Sequence, residues 1–464
     1  MRPQSHRQVA PKWARWMGVS AAAMAAVVVA PAPAQAQDVI ASSDEVPVTY
    51  AADVAEIVNE NCVVCHREGG IAPMQLTNYE EVQQWAPLIR MKVANREMPP
   101  YAYDTDVGIQ ELESDWRLSQ EQINTVVSWV DQGAPEGDPA DMPPPPDLPD
   151  PDEWTFASDF GPPDLVVRSE PIDVPARGND MWHQPIVDIP LEEDRCIRAM
   201  QVKPAGQAKS VVHHANSYFE EPQPDGSLER TGSVTEYAMG KVGEIVPEGV
   251  CRTASHTAKI AWDIHLYPGG LGAMAPGDVL EDNVVELGIW LHPEDYEAEH
   301  EQDLTLYWLN EGELLLPPNE TIMTQGFHTF DHPVRIDSFQ PHGHLRMRAA
   351  SLEIFYPETG QTETISMISD WSATWHHSHI YETDVAPLVP AGAVLVIKQW
   401  YDNTADNPNN PDPEQWVSWG QRTADEMTHA WIAVTHLDEE GYQELLEERE
   451  QEQQEEEDRV AQNR

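Results

Sequence analysis

Residues 259–266 read Lys-Ile-Ala-Trp-Asp-Ile-His-Leu, and large apolar side chains alternate with polar ones along this stretch. A period of two is typical of a β-strand with one buried face. Similar short runs recur between clusters of Gly, Pro, Asn and Asp, at 186–189, 211–219, 284–290, 304–309, 351–355, 394–400 and 429–435. Many short strands at this spacing indicate all-β, β-sandwich or jelly-roll, domains. We expect two of them, at 165–310 and 311–436, divided near Asn310.

The segment upstream of these runs has helical periodicity. Residues 50–61, 79–95 and 119–131 each predict a helix, and the last begins with Ser119-Gln120-Glu121-Gln122, a capping-box arrangement. We therefore expect a small all-α domain at 48–137. The Pro- and Asp-rich residues 138–164 indicate an extended linker. The run of Glu, Gln and Arg at 437–464 predicts an acidic tail, either a charged helix or disordered.

The N-terminus has the features of an export signal. Four basic residues precede an apolar stretch at 16–30, which is followed by Ala34-Gln35-Ala36, an A-x-A cleavage site. We expect residues 1–36 to be a cleaved signal peptide and the mature protein to be periplasmic, without stable membrane insertion. The alternative is an uncleaved anchor, but the apolar run is short for a membrane-spanning helix.

The charge of the chain excludes two classes of partner, and its few cysteines predict one disulfide bond. The chain has 27 basic and 80 acidic residues and a formal net charge of −53. Such a surface repels nucleic acid and anionic lipid, so neither is expected as a partner. Of the 4 cysteines, Cys62 and Cys65 belong to a Cys-x-x-Cys-His motif. In an oxidising compartment the other two, Cys196 and Cys251, are expected to form a disulfide bond.

Residues 62–66 read Cys-Val-Val-Cys-His, the motif that attaches a c-type haem. Cys62 and Cys65 would form thioether bonds to the haem, and His66 would ligate the iron. Zinc binding and dithiol exchange are the alternatives for a Cys-x-x-Cys pair. As the second axial ligand we favour Met98, in a proline-rich loop, over Met74 and Met91.

Two further groups of His and Met residues are of the types that bind metal ions, and they are spaced as the ligands of one ion would be. His342 and His344 would share one face of a strand, because side chains at i and i+2 point the same way. Met427 would add a thioether, a soft ligand that favours Cu(I). His213 and His214 are adjacent, so they can bind one ion only at a local irregularity or through different ring nitrogens; His265 would complete a three-histidine site. Zinc is the alternative metal, although zinc disfavours methionine.

These motifs resemble a known family. Val211-Val212-His213-His214, the Ile-His-Leu-Tyr-Pro stretch around His265, Pro341-His342-Gly343-His344-Leu345-Arg346 and residues 423–427 are similar to the copper type II, ascorbate-dependent monooxygenases, which include peptidylglycine α-hydroxylating and dopamine β-monooxygenases. Residues 62–66, 69–73, 98–100 and 129–135 resemble bacterial members with a c-type cytochrome domain in front. The resemblance covers nearly all of residues 48–436.

The resemblance implies a function for each group. Two jelly rolls would each hold one copper ion across a solvent-filled cleft. His213, His214 and His265 would bind the electron-transfer copper. His342, His344 and Met427 would be the catalytic ligands, at the copper where dioxygen is activated and a C–H bond is hydroxylated. Electrons would pass from the haem to the first copper and then to the second. An external donor, either a periplasmic cytochrome or an ascorbate-like reductant, would supply them.

The sequence also departs from the family pattern. Gln340 stands where peptide-amidating relatives have an arginine, and His429 and Trp431 replace an expected polar pair. A small apolar or aromatic organic substrate therefore fits better than a peptide. His376, His377 and His379 form an unexpected cluster with either a metal-binding or a hydrogen-bonded role. The alternative functions are a haem protein that transfers electrons or binds copper without hydroxylase activity, and a purely structural module.

Overall fold

The computed structural model describes residues 47–462, apart from residues 71, 73, 102, 114, 149, 151, 239–240, 242, 269–274, 276 and 374. The predicted signal peptide at 1–36 lies outside this part of the chain. Within it, no helix combines the length and the apolar character that crossing a bilayer requires.

Helices lie at the two ends of the described chain. They are Tyr50–Val54 (π-helical), Ala55–Asn61 (α1), Tyr79–Ala94 (α2), Gln120–Asp131 (α3), Ala157–Phe160 (α4) and Glu439–Gln462 (α5). The predicted capping box is present: Ser119 Oγ accepts from the Gln122 N–H, and Gln122 Oε1 accepts from the Ser119 N–H. Tyr50, Val58, Val82 and Trp129 belong to the apolar core of this helical segment. The acidic C-terminal run is a helix up to Gln462.

The first half of the β region contains twelve described strands. They are β1 Leu165–Arg168, β2 Ile172–Pro175, β3 Met181–His183, β4 Ile186–Asp188, β5 Arg195–Pro204, β6 Val212–Pro222, β7 Leu228–Tyr237, β8 Glu244–Ile245, β9 Val250–Ala254, β10 Lys259–Leu266, β11 Val279–Asn283 and β12 Val285–Leu291.

Eleven more described strands follow. They are β13 His300–Trp308, β14 Leu315–Leu316, β15 Thr321–Thr329, β16 Val334–His342, β17 Met347–Tyr356, β18 Gln361–Ile368, β19 His379–Ile380, β20 Leu388–Val389, β21 Val394–Asp402, β22 Val417–Ser418 and β23 His429–His436. Each of the eight runs that predicted a strand corresponds to one of these 23 strands.

The strands form two β-sandwiches. In the first, the row β1-β12-β5-β9 packs against β3-β10-β6-β7; in the second, β13-β23-β16-β19 packs against β15-β21-β17-β18. One cluster of buried apolar side chains lies inside each pair of sheets. The expected β-sandwich architecture is thus confirmed.

Strand β13 connects the two sandwiches. It pairs with β23 along its whole length, from Glu301↔His436 to Trp308↔His429. It also pairs in parallel with β9 through His300↔Val250 and Glu301↔Cys251. One ten-stranded sheet therefore runs through both sandwiches. The division expected near Asn310 would leave β13 in the first half. Most of the hydrogen bonds of β13, however, are made to β23 in the second half.

The loop between α2 and α3 packs against the second sandwich. The backbone N–H groups of Asp104, Ile109 and Glu113 donate to carbonyl oxygens of Met367, Ile365 and Ile380, each at 2.9 Å. Gly108 has a φ of +73°, and a Cβ there would lie 2.0 Å from the Ile365 carbonyl oxygen. Only glycine allows so close an approach. The helical segment is thereby attached beside β18 and β19.

The predicted disulfide between Cys196 and Cys251 is confirmed. Cys196 lies on β5 and Cys251 on β9, and these strands are hydrogen-bonded neighbours. Cys62 and Cys65 are free thiols.

Candidate metal centre

Three histidines meet on one face of the first sandwich. In β10 the side chains of Ile260, Ile264 and Leu266 enter the core, so His265 points to the opposite face. His265 pairs with His214 on β6, but Leu266 pairs with Val212, which leaves His213 as an extra residue in a bulge. The structure therefore contains the local irregularity that two adjacent histidines need to share a site.

The nitrogens of this group are close together. One ring nitrogen from each of His213, His214 and His265 lies within 4.8 Å of the other two, and the Nδ1 atoms of His213 and His214 are 3.1 Å apart. Trp182 stacks on His265 with ring centroids 4.7 Å apart. Asp180 Oδ2 lies 3.4 Å from His265 Nε2. Neither Trp182 nor Asp180 was expected at this site from the sequence.

His342 and His344 meet in a different way from that expected. Their ring centroids are 5.3 Å apart, but β16 ends at His342 and His344 lies in the following turn. The strand geometry inferred for this pair is therefore wrong. A Cβ at Gly343 would lie 2.3 Å from Met347 Sδ, so glycine leaves room for the buried Met347 side chain of β17.

A buried carboxylate joins this turn to Met427. Glu426 accepts hydrogen bonds from the backbone N–H groups of His344, Arg346 and Met427; the last two are 2.9 Å and 3.0 Å long. Tyr401 Oη donates to the Met427 carbonyl oxygen at 2.7 Å. Glu426 thus positions the backbone of two of the three predicted copper ligands on this side, His344 and Met427. No sequence pattern indicated this role for Glu426, apart from its place next to Met427.

His376 connects the two groups of histidines. Its ring centroid lies 4.7 Å from that of His342, 6.2 Å from that of His214 and 6.3 Å from that of His213. Here the two groups lie close together and share a neighbouring ring, in contrast to the solvent-filled cleft that the family resemblance implies between them.

His429 is a further buried imidazole in the cluster. Phe339 and Ile432 of β16 and β23 enter the core of the second sandwich, so Gln340, His342 and His429 lie on the opposite face. His429 and His342 are paired across the two strands. Neither ring nitrogen of His429 has a hydrogen-bond partner, and His342 Nδ1 also lacks one.

The surroundings keep these imidazoles uncharged. Loss of solvent, together with the neighbouring His265, lowers the pKa of His213 to about 4. Loss of solvent and nearby imidazoles lower the pKa of His376 and of His429 to about 3. The same causes hold the pKa values of His214 and His342 well below the ordinary value. Neutral imidazoles bind metal ions without first losing a proton, so the donor set fits copper.

The Cys62–His66 motif follows α1. His66 Nδ1 is hydrogen-bonded to the Met74 carbonyl oxygen at 3.0 Å, which leaves Nε2 available to bind a metal. Burial and the neighbouring Cys65 raise the pKa of Cys62 to about 12. A thiol that stays protonated is poorly suited to dithiol exchange. In the described part of the chain, the motif forms no group with other His, Cys, Asp or Glu residues comparable to the three-histidine group.

The three candidate axial methionines differ in position. Met98 is half-buried and lines a cavity of about 40 Å³ together with Tyr101, Tyr103 and Arg117. Met74 packs at the edge of the helical core. Met91 is 46% exposed on α2.

An open groove lies beside the second group of histidines. It has a volume of about 500 Å³ and is lined by both polar and apolar residues, the latter including Leu315, Met323 and Trp419. Trp308 joins it to the site, since its ring centroid is 6.3 Å from that of Trp419 and 4.8 Å from that of His429. Glu313 is the one charged residue among the described residues that line it.

Comparisons with known proteins assign no family. No protein-family model matches the chain, and no curated protein matches it. Among solved structures, the major capsid protein P2 of bacteriophage PM2 is 9% identical with a TM-score of 0.24, over 60% of this chain and 100% of that one. A fucolectin from striped bass serum is 11% identical with a TM-score of 0.16, over 59% and 86% of the two chains. These scores are too low to establish a common fold.

Proposed function

We propose that this chain is an exported dicopper monooxygenase with a fused c-type cytochrome domain, similar to the copper type II, ascorbate-dependent monooxygenases. It would hydroxylate a C–H bond of a small organic substrate with dioxygen. The observation that carries the proposal is the convergence of His213, His214 and His265 beside His342 and His344, from separate sandwiches, with the ring of His376 between them. The two sandwiches would be the two jelly-roll domains of the family.

The chain's own residues would hold the metals as follows. His213, His214 and His265 would form a three-nitrogen site, and His342, His344 and Met427 would form a site with one soft ligand. Copper at these sites would supply the electrons and the dioxygen activation that hydroxylation needs. Glu426 orients the His344 and Met427 backbone, and Asp180 contacts His265 Nε2 at 3.4 Å. Such supporting contacts fix ligand orientation and tune affinity.

The helical segment would be the electron-supply domain. Cys62, Cys65 and His66 would hold one haem c, with Met98 as the second axial ligand. The hydrogen bond from His66 to the Met74 carbonyl supports this, because it fixes the ring with Nε2 free. The reducing equivalents would come from an external periplasmic donor, a cytochrome or an ascorbate-like reductant. No nucleic acid or membrane partner is proposed.

The groove supports a substrate with an aromatic or apolar part. Trp308 and Trp419 are 41% and 43% exposed, and Leu315 and Met323 are also exposed. Exposed apolar surface of this kind marks binding sites. The single lining carboxylate, Glu313, and the net charge of −53 disfavour an anionic substrate. We propose that the groove takes the apolar part of a neutral or cationic molecule.

A second candidate is an electron-transfer or copper-binding haem protein without hydroxylase activity. It is favoured by the burial of His342 and His344, which are 5% and 8% exposed, because dioxygen and substrate need access to the copper. Exposure of the reduced, copper-loaded protein to carbon monoxide distinguishes the two. Binding of carbon monoxide at Cu(I) supports the monooxygenase, and failure to bind supports the electron carrier.

The first test is the iron and copper content of the mature protein from an exporting host. One haem iron and two copper ions per chain are expected. His213→Ala and His342→Ala should each lose one copper and keep the other, whereas His328→Ala, an exposed histidine on β15, should keep both. Haem without copper, even after loading with Cu(I), would contradict the dicopper proposal.

A further inference from the structure

The His376-His377-Ser378-His379 segment lies between the helical segment and the histidine cluster. His376, His377 and His379 are all buried, at 7%, 6% and 1% exposure. His376 contacts the cluster, as described above. His377 and His379 instead contact aromatic residues of the loop between α2 and α3. The segment therefore contacts both the loop of the helical segment, where the haem is predicted, and the histidine cluster, where the copper ions are predicted.

On the helical side the contacts are aromatic and continuous. The ring centroid of Tyr101 is 5.6 Å from that of His377 and 5.3 Å from that of His379. Tyr103 approaches His379 at 4.4 Å, and Trp116 approaches His377 at 6.4 Å. Tyr101 and Tyr103 line the same cavity as Met98, the predicted haem ligand.

The position of this loop is fixed by its own bonds. The backbone bonds of Asp104, Ile109 and Glu113 hold it against β18 and β19. Tyr103 Oη is hydrogen-bonded to Ser366 Oγ, which is in turn hydrogen-bonded to Tyr381 Oη. Arg117 lies over the Tyr101 and Tyr103 rings at 5.5 Å and 5.6 Å. The aromatic contacts therefore belong to a rigid, buried part of the structure.

We propose that the His376–His377 dipeptide, with Tyr101, is the route by which electrons pass from the helical segment directly to both metal sites, in place of the expected order from the first copper to the second. From Tyr101 the route crosses to His377, continues through one peptide unit to His376, and divides there toward His213 and His214 and toward His342. Outside that peptide unit, the ring centroids are 5.6 Å apart from Tyr101 to His377 and 4.7 Å to 6.3 Å apart from His376 to the cluster. A short chain of buried rings carries electrons faster than an equal length of solvent, because electronic coupling decays less steeply with distance through packed protein atoms than through water.

The transfer is balanced without a proton. Cys62, Cys65 and His66 would hold the c-type haem that gives up the electron, with its iron changing from Fe(II) to Fe(III). The same electron converts one Cu(II) at the histidine sites to Cu(I). Two such transfers prepare both copper ions for one dioxygen. The relay rests on the proposed function, since it requires both cofactors.

The test is the rate of haem reoxidation in the holoprotein under anaerobic conditions. The haem is reduced rapidly in the Cu(II)-loaded protein, and its absorbance is then followed by stopped flow. His376→Leu is expected to slow this intramolecular step by about tenfold, which corresponds to about 1.4 kcal/mol in the barrier. His376→Phe restores a ring and should recover most of the rate. Tyr101→Leu should also slow the step, and His328→Leu should not.

Copper content and the copper EPR spectrum are measured on every variant. Normal copper with slower haem reoxidation in His376→Leu supports the relay. An unchanged rate overturns it, and so does loss of copper from His376→Leu, because His376 would then be a ligand. A wild-type protein that holds haem and copper but transfers no electron between them overturns the relay alone. A wild-type protein that binds neither cofactor overturns the proposed function as well.

Discussion

The imidazole ring of His429 stacks on that of His342, with centroids 4.7 Å apart and planes inclined by 19°. The two residues face each other across the β16–β23 pair. His429 is 2% exposed, and neither of its nitrogens has a hydrogen-bond partner. A buried polar ring without partners destabilises the folded state. A free imidazole therefore lies directly beside a predicted copper ligand.

Replacing His429 by phenylalanine should stabilise the metal-free protein. The substitution keeps the ring shape and removes two unpartnered nitrogens, so the free energy of unfolding should rise by about 1 kcal/mol. Urea denaturation of the metal-free protein measures this. His328→Phe, at an exposed position, should change the value little. A marked loss of stability in His429→Phe would show that its nitrogens have partners in solution.

Glu426→Gln should weaken copper binding at the His342 side. The carboxylate accepts three backbone N–H groups, and an amide can offer only one oxygen to them. Loss of such a supporting contact typically costs about 10- to 100-fold in metal affinity. Competition with a Cu(I) chelator measures the affinity. The matched control is Asp425→Asn, at the residue next to Glu426, which removes the ion pair between Asp425 and Arg422. Equal affinities in both variants would rule out this role.

The metal-free protein should lose stability on mild acidification. The pKa values of His213, His376 and His429 are lowered to about 4, 3 and 3. In the unfolded chain these groups take up protons near pH 6.5, so the unfolded state binds more protons below that pH. Stability is therefore complete above about pH 6.5 and falls as the pH drops toward 3, with about 1.4 kcal/mol for each unit of pKa shift.

Urea midpoints at pH 7 and pH 5 check this prediction. The copper-loaded protein should be less sensitive, because bound imidazoles do not take up protons. Equal midpoints at the two pH values for the metal-free protein would show that the imidazoles are solvated.

Removing the disulfide should destabilise the first sandwich. Cys196 and Cys251 are separated by 55 residues, and the loss of such a cross-link costs about 4 kcal/mol by the loop-entropy relation. The double variant Cys196→Ser/Cys251→Ser is compared with wild type by urea denaturation. Since the two strands remain paired, the β-sheet content should be unchanged. A loss of unfolding free energy smaller than about 1 kcal/mol would mean that the unfolded chain is already compact without the disulfide.

Trp419→Ala should weaken binding of an aromatic substrate in the groove. Loss of one ring contact is worth about 1 kcal/mol, which corresponds to about a fivefold rise in KM. The copper content should not change, because the Trp419 side chain is not a ligand. Trp416→Ala removes another exposed tryptophan that does not line the groove. If both variants behave alike, the groove does not bind the substrate.

Local sequence patterns predicted much of this molecule, because they depend on near neighbours. Alternation in residues 259–266 predicted β10. Ser119 and Gln122 predicted the start of α3. The pairing of Cys196 with Cys251 followed from there being no other partner. In each case the evidence lay within a few residues or in a simple count.

The remaining features depend on contacts between residues far apart in the chain. His376 contacts both His214 and His342 only because β6, β16 and the loop before β19 meet. No local sequence pattern predicts such a contact. His344 follows the end of β16 because Glu426, 82 positions later, holds its backbone. The position of β13 beside β23 depends in the same way on a strand more than 100 residues away.

The pairing of β13 with both β9 and β23 has a practical consequence for dividing the protein. A fragment that begins near Asn310 would lack β13, and the backbone groups of β23 would face water along an unpaired edge. Such edges recruit strands from other molecules and cause aggregation. A soluble C-terminal fragment must therefore begin before His300, and a fragment ending after β12 is the corresponding N-terminal piece.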